Sequence, residues 1–474
     1  MKPTTRRFSR HFIPKEHHDA RMVGPLDEKT GRDDENGGEK DAIDRVFYEI
    51  DLSSNDVDDE SLETVFNVLE RKSKGLAVTE LDLTDNRICD KGAALIARAG
   101  LVACSLYLGK NYITSEGVRA LAGWLAKEDT ELEAIALYRN CIDGDGGVEL
   151  ANALRTNVGL LYLYLHHNDI GNVGAAALGN ALQDNKTLTW IDLESNGITE
   201  VSYIAHALTE NINSLTYLSL VGNEIPPDEG ILLAGMLNAN KALKTLDLSQ
   251  NFIGDNGTIA IAEALFENST LTELGLSSNN ITDAGMVVFG DMILKNETLE
   301  TLKLDHNLVS DVGVTEITCV YTPEYMVPAD GSRTQSNLKL LMLTFNKLST
   351  KKCAHVRRIL GGKYGVHVAL EGNDFVEEQK SDDDSLGIRT DEEVASEEDD
   401  EEEEDGAEDQ DEKIMEELRR FSVDRRRRIG IVDGMANTNV PLFQPVFPEL
   451  MSSPNPSAHP VERRGQPPQQ EKFT

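Results

Sequence analysis

The 474-residue chain is poor in aromatic residues, in cysteine and in long apolar runs. Its five cysteines form no CxxC pair, which excludes a zinc knuckle and a dense disulfide framework and favours a reducing compartment. No stretch approaches the length of about 18 apolar residues that a membrane span needs, and the first twenty residues have no apolar signal core. The sequence therefore predicts a protein of the cytoplasm, with the nucleus as a second location.

Basic residues are also scarce. The chain has 46 lysines and arginines against 83 acidic residues, a formal charge of -37. Because a surface this negative repels phosphate groups, we expect no direct binding to nucleic acids or to anionic membranes. A basic protein partner is favoured instead.

A string of alternating apolar residues ending in asparagine recurs along the chain, as in LDLTDN and IDLESN. It ends at Asn55, Asn86, Asn111, Asn140, Asn168, Asn196, Asn223, Asn251, Asn279, Asn307, Asn346 and Asn373. Most intervals are 27 to 29 residues. An isoleucine often follows two places later and a glycine six places later, before an apolar run with helical spacing. Each unit therefore predicts a strand, a turn and a helix, stacked on its neighbours into an α/β solenoid with a concave parallel sheet of about twelve strands.

The period and the LxxLxLxxNxI pattern resemble the ribonuclease-inhibitor-like class of leucine-rich repeats, over about residues 41–375. Similar repeats occur in ribonuclease inhibitor, in Ran GTPase-activating protein and in nucleotide-binding leucine-rich-repeat receptors. The resemblance implies a horseshoe fold and a binding role. Because no GxxxxGK[ST] loop is present, the receptor interpretation is weakened.

Positions six, four and two residues before each asparagine are expected to face the concave side of the sheet. These positions hold five of the 11 tyrosines, together with a tryptophan and a histidine. The residues are Tyr107, Tyr138, Tyr162, Tyr164, His166, Trp190 and Tyr217. We interpret them, with Asp192 and Glu194, as a partner-binding site, although the rings could instead only cover the sheet. Since Tyr162, Trp190 and Tyr217 share one register, their rings are expected to stand side by side.

Most other concave positions are acidic or small, with Lys303 the only base. An acidic rim around an aromatic centre would steer and then anchor a basic protein. Lys110, Arg139 and His167 follow the strands as a small basic edge.

No residue pattern indicates catalysis, a metal site or a cofactor. His166 and His167 are adjacent and would point to opposite faces of a strand, and the calcium-like string Asp143 to Gly147 lacks its final acid, because Leu154 stands there. We therefore predict a non-enzymatic interaction module. The resemblance to Ran GTPase-activating protein leaves a GTPase regulator as an alternative, with a small GTPase as partner and Arg87 and Arg139 as the only nearby arginines. A structural subunit of a cytoskeletal or axonemal complex is a second alternative.

The remaining segments lack the repeat. Residues 1–40 are predicted to be a disordered arm, 376–412 an acidic segment and 413–474 an arginine-containing, proline-rich tail. Ser9, Ser396 and Ser422 resemble kinase sites, and Arg425 to Arg428 resemble a nuclear signal or a partner for the acidic run. The insert at residues 321–337 is either a partner contact or a tolerated loop.

Overall fold

The computed structural model describes residues 46–72, 76–99, 104–127, 130–209, 214–319, 321 and 336–373. The chain divides into two compact units, Met1–Ser385 and Leu386–Thr474, and all described residues lie in the first. The predicted tails, with Ser9, Ser396, Ser422 and the arginine cluster, lie outside the described residues.

Twelve strands of the described chain form one parallel sheet, in which each strand pairs with the next along the sequence. They are β1 Val46–Asp51, β2 Leu76–Asp82, β3 Ser105–Tyr107, β4 Ala134–Ala136, β5 Tyr162–Tyr164, β6 Trp190–Asp192, β7 Tyr217–Ser219, β8 Thr245–Asp247, β9 Glu273–Gly275, β10 Thr301–Lys303, β11 Leu340–Met342 and β12 His367–Ala369. The order confirms the predicted α/β leucine-rich-repeat horseshoe.

Helices connect the strands on one side of the sheet. They are α1 Asp59–Lys72, α2 Asp90–Ala99, α3 Ser115–Leu125, α4 Gly144–Leu154, α5 Gly171–Asp184, α6 Ser202–Thr209, α7 Pro227–Ala239, α8 Gly254–Leu265, α9 Asp283–Met286, α10 Phe289–Lys295, α11 Asp311–Cys319 and α12 Thr350–Val356, which a π-helix continues over Arg357–Lys363. The core lies between helices and sheet. In the fifth repeat, for example, Leu163, Leu165 and Ile170 are each 0% exposed.

The repeated asparagines join each turn to the turn before it. Asn223 Nδ2 donates to the carbonyl oxygens of Leu193 and Leu220, both at 3.0 Å. Its Oδ1 accepts from the backbone N–H groups of Asn196 and Ile198, also at 3.0 Å. One buried amide thus satisfies backbone groups in two consecutive repeats, which explains why an apolar residue is disfavoured there.

Aspartates near the start of several helices provide a second link between repeats. Asp90 Oδ1 accepts from the backbone N–H groups of Thr114 at 2.8 Å and Gly117 at 2.9 Å, while Oδ2 accepts from the Thr114 hydroxyl at 2.8 Å. An added Cβ on Gly117 would lie 2.6 Å from Asp90 Oδ1. Space for the aspartate of the preceding repeat explains the recurring glycine at Gly92, Gly117, Gly285 and Gly313, whereas Gly174 and Gly257 lie against an isoleucine and backbone atoms.

The insert leaves the sheet continuous, because β10 pairs directly with β11. Only its ends are described. Tyr321 is buried and its hydroxyl donates to Ser336 Oγ at 3.0 Å, which holds the two ends of the insert together.

Candidate functional site

The concave face is the sheet face opposite the helices, and strands β3 to β7 place the predicted aromatic residues on it. We call Tyr107, Tyr138, Tyr162, Tyr164, His166, Trp190 and Tyr217 the aromatic surface. Strand pairing puts Tyr162 beside Trp190 and Trp190 beside Tyr217, in the expected register. Tyr138 and His166 follow β4 and β5, each two residues before its asparagine.

Two stacked ring pairs form the centre of this surface. Trp190 and Tyr217 stack with their ring centroids 3.3 Å apart and an angle of 3° between the ring planes. Tyr138 and His166 stack with centroids 4.4 Å apart and an angle of 8°. On its other side Trp190 contacts Tyr164, at 6.3 Å and 45°. The expected row of three rings is therefore a stacked pair, Trp190 with Tyr217, plus a tilted contact to Tyr164.

Small residues on neighbouring strands make room for these rings. The outward residues of β4, Ala134 and Ala136, are buried although they face the concave side. An added Cβ on Gly109 would overlap the ring of Tyr138. The rings thus lean over the small residues beside them, an arrangement that single aromatic positions in the sequence do not reveal.

Burial raises the pKa of three phenols of the aromatic surface, Tyr107, Tyr164 and Tyr217. Burial, with smaller effects from Tyr162 and Asp192, raises the pKa of Tyr164 to about 12. Burial also raises the pKa of Tyr107 and Tyr217, and neighbouring carboxylates add to both effects. These hydroxyls are neutral groups that can donate hydrogen bonds to a partner.

Two histidine–carboxylate pairs lie beside the rings. Asp192 Oδ2 is 3.1 Å from His166 Nδ1, but the two atoms make no hydrogen bond, and His166 Nδ1 is buried without a hydrogen-bond partner among the described residues. Glu194 Oε1 is 3.6 Å from His167 Nε2. Burial, followed by the charge of Arg139, outweighs Glu194 and lowers the pKa of His167. Asp192 and Glu194 thus lie next to His166 and His167.

Several predicted acidic positions already have partners within the fold. The Oδ1 atoms of Asp51, Asp82, Asp192 and Asp247 each accept from the backbone N–H two residues later. Asp305 accepts from the backbone and the hydroxyl of Thr344. These carboxylates stabilise the turns as well as contributing charge, which the Asp-x-Ser/Thr pattern at Asp51, Asp82 and Asp247 could have indicated.

Lys303 neutralises part of the concave face. Its Nζ lies 2.6 Å from Glu273 Oε1 and 3.5 Å from Asp247 Oδ2. Burial disfavours the ammonium, but the bond to Glu273 and the two carboxylate charges outweigh it and raise the pKa of Lys303. An added Cβ on Gly275, between them, would overlap the Asp247 carboxylate. Lys303 therefore offsets part of the acidic charge that Asp247 and Glu273 place on this part of the concave face.

The small basic edge lies in the turns. Lys110, Arg139 and His167 have left-handed φ values of 53°, 50° and 56°, as does the residue before the asparagine in the other repeats. Arg87 comes directly after Asn86, in the turn of the second repeat, and its Nε is 3.6 Å from Asp56 Oδ1. Arg87 and Arg139 thus sit in separate turns, two repeats apart.

The described residues hold no group of three or more His, Cys, Asp or Glu side chains arranged to bind a metal ion. Within the same residues, no helix is long and apolar enough to cross a membrane.

Comparisons with known proteins show what the repeats are similar to. A family model described as "Leucine Rich repeat" matches residues 78–97, 157–179, 239–262, 267–290 and 295–317. The human protein "NACHT, LRR and PYD domains-containing protein 2" is 28% identical over 210 residues, which is 44% of this chain and 17% of that protein. The chain therefore matches only about a sixth of that relative's length.

Three solved structures share lower similarity. An internalin (inlF) from Listeria monocytogenes is 20% identical with a TM-score of 0.43, over 69% of this chain and 82% of that one. Leiomodin-1 actin-binding site 2 is 21% identical with a TM-score of 0.28, over 32% and 88%. A TLR13–ssRNA13 complex is 20% identical with a TM-score of 0.37, over 61% and 34%.

Proposed function

Since the chain is built from leucine-rich repeats, we propose that it is a non-enzymatic interaction module whose concave face binds a protein partner. The observation that supports this most is the pair of aromatic stacks, Trp190 with Tyr217 and Tyr138 with His166, on the solvent side of the sheet. The core lies on the other side of the sheet and is complete without them.

The contribution of ring stacking to stability does not by itself explain why the concave face carries so many aromatic residues. An aromatic pair contributes roughly 0.5–1.5 kcal/mol beyond the area it buries, and shorter side chains would cover the sheet as well. Aromatic side chains on rigid strands, by contrast, lose little conformational entropy when a partner binds, and Trp and Tyr dominate binding hot spots. The aromatic surface therefore favours partner binding over simple coverage.

The partner's contacting surface is proposed to be basic. Asp192 and Glu194 lie beside the rings, and the chain carries a charge of -37. Aromatic faces attract a guanidinium or ammonium group, and neighbouring carboxylates strengthen that preference. A segment rich in arginine or lysine fits this combination, in the cytoplasm or the nucleus.

The proposal is tested with the stacked pair. We expect Trp190→Ala/Tyr217→Ala to weaken binding to the partner recovered by the wild-type chain at least tenfold, because each hot-spot ring is worth roughly 2 kcal/mol or more. Dissociation constants would be measured by titration calorimetry with the purified partner.

A matched control is Tyr112→Ala/Tyr203→Ala, which removes two rings that are 57% and 50% exposed and lie off the concave face. Equal affinities for the stacked-pair variant and the wild type, with both chains folded by circular dichroism, would contradict the proposal. Faster GTP hydrolysis by a small GTPase on addition of the chain, lost in Arg139→Ala, would instead support the GTPase-regulator alternative.

A further inference from the structure

The C-terminal end of the solenoid is basic, although the repeats taken together are acidic. Residues 347–370 contain six lysines and arginines and no aspartate or glutamate. We call these six side chains the basic end surface: Lys347, Lys351, Lys352, Arg357, Arg358 and Lys363. They lie on the turn before α12, on α12 and on the π-helix that continues it.

Three of the six cations of this surface have no ion pair among the described residues. Among the described residues, Lys347, Lys351 and Arg357 have no carboxylate within ion-pair distance. His355 lies among the cations, with its Nδ1 3.3 Å from Arg358 Nη2. Burial, and then the charges of Lys352 and Arg358, lower the pKa of His355. Like charges crowd together here, so an anionic group would bind favourably.

A depression of about 360 Å³ adjoins the basic end surface. It is lined by Arg357, Gly361, Gly365, Val366, His367 and Val368. Val366 directly precedes β12, and His367 and Val368 belong to it. β12 is the last strand of the described sheet, so one of its edges is unpaired among the described residues. An exposed edge strand is a liability that proteins usually cover. The depression thus has an apolar wall, formed by Val366 and Val368, and a cationic rim at Arg357. A segment with both apolar and acidic residues could fill it.

We infer that residues 374–385 of this same chain occupy the end of the solenoid. This segment, DFVEEQKSDDDS, lies outside the described residues and follows Asn373 directly. It has six acidic residues and one lysine. Phe375 and Val376 suit the apolar wall, and the carboxylates that follow suit the basic end surface.

The segment is long enough to reach every cation of the surface. Its eleven residues up to Asp384 can span about 35 Å when extended. The helical stretch Thr350–Lys363 is only about 21 Å long at 1.5 Å per residue. A short tether also gives the segment an effective concentration near the millimolar range, which favours it over an acidic segment of another protein.

Zero-length carbodiimide cross-linking of the full chain, with light and heavy isotope-labelled copies mixed equally, tests this inference. We expect cross-links from Lys351, Lys352 or Lys363 to carboxylates of residues 374–385, within single chains only. Their yield is expected to fall at least tenfold in 1 M salt, where the screening length is about 3 Å. Mixed light–heavy cross-links would instead assign the surface to a second copy and overturn the inference.

The variant Arg357→Gln/Arg358→Gln tests whether charge attraction, and not only closeness in the sequence, brings residues 374–385 to the lysines. Carbodiimide does not cross-link arginine, so the variant removes charge but no cross-linking site. We expect this variant to lower the yield of the lysine cross-links at least threefold. The control Arg87→Gln/Arg139→Gln removes the same charge elsewhere and should leave the yield unchanged. Equal yields in both variants, or no cross-links to residues 374–385 in the wild type, would also overturn the inference.

Discussion

At the residue scale, much of the repeat pattern reflects contacts between one repeat and the next. The asparagine of most turns bonds backbone groups of two repeats, and the glycine near four helix starts leaves space for an aspartate of the preceding repeat, at Gly92, Gly117, Gly285 and Gly313. Neither role requires a partner molecule. These residues are therefore explained by folding, whereas the aromatic surface is not.

Gly117 and Gly123 lie in the same helix, α3. Replacing each by alanine is expected to change the free energy of unfolding in opposite directions. At Gly117 the new Cβ would lie 2.6 Å from Asp90 Oδ1 and 2.8 Å from Ile113 Cγ2. We expect Gly117→Ala to lower the free energy of unfolding by about 1–3 kcal/mol, because the packed neighbours must move. The loss would be measured by urea denaturation.

Gly123→Ala is the control, since no atom lies within 4 Å of its added Cβ. We expect it to stabilise the chain by about 0.5–1 kcal/mol, because alanine is the better helix former. If both variants shift the urea midpoint equally, the steric explanation of the repeated glycine is wrong.

At the element scale, each strand–turn–helix unit is held by its neighbours rather than by itself. The strands of β3 to β12 are three residues long, too short to be stable alone. Stacking supplies the missing partners on both sides. A long loop between a helix and the next strand is therefore tolerated as long as the strands on either side of it still pair.

The insert provides a test of that tolerance. Replacing residues 322–335 by a short Gly-Ser linker should change the free energy of unfolding by less than about 1 kcal/mol, because loop-closure entropy varies slowly with length. β10 would still pair with β11, and Tyr321 would still lie near Ser336. Thermal unfolding would check the stability.

Partner affinity would be measured on the same deletion variant. Retained binding is expected if the insert is a tolerated loop. A loss of binding with unchanged unfolding would identify it as a partner contact.

At the scale of the whole molecule, charge is divided unevenly along the chain. The formal charge is about +1 for residues 1–40, -22 for residues 41–375 and -16 for residues 376–474. The repeats are thus acidic by themselves, although the basic end surface lies among them. Association with a basic partner is expected to be steered mainly by the repeats.

Truncation after Ser385 tests whether the first compact unit is self-sufficient. We expect removal of residues 386–474 to shift the thermal midpoint by less than about 2 °C, because the core lies within residues 57–370. Calorimetry would measure the midpoint. A drop of ten degrees or more would show that the removed unit is part of the same cooperative fold.

The register of the concave residues could be predicted because strand periodicity and the repeat interval place equivalent positions side by side. Tyr162, Trp190 and Tyr217 are aligned as expected. The ring contacts could not be predicted, because they depend on side-chain rotamers and on small neighbours such as Ala136. For the same reason the sequence did not show that Lys303 reaches across Gly275 to Asp247.

The sequence by itself determined the solenoid, the number of its strands and the face on which each strand residue lies, because these follow from local periodicity repeated along the chain. Only the tertiary structure decided which rings stack, which carboxylates are already bonded and where the basic end surface meets a depression. Those outcomes depend on distances between side chains of different repeats, and residues about 28 positions apart in the sequence become neighbours only after the repeats stack.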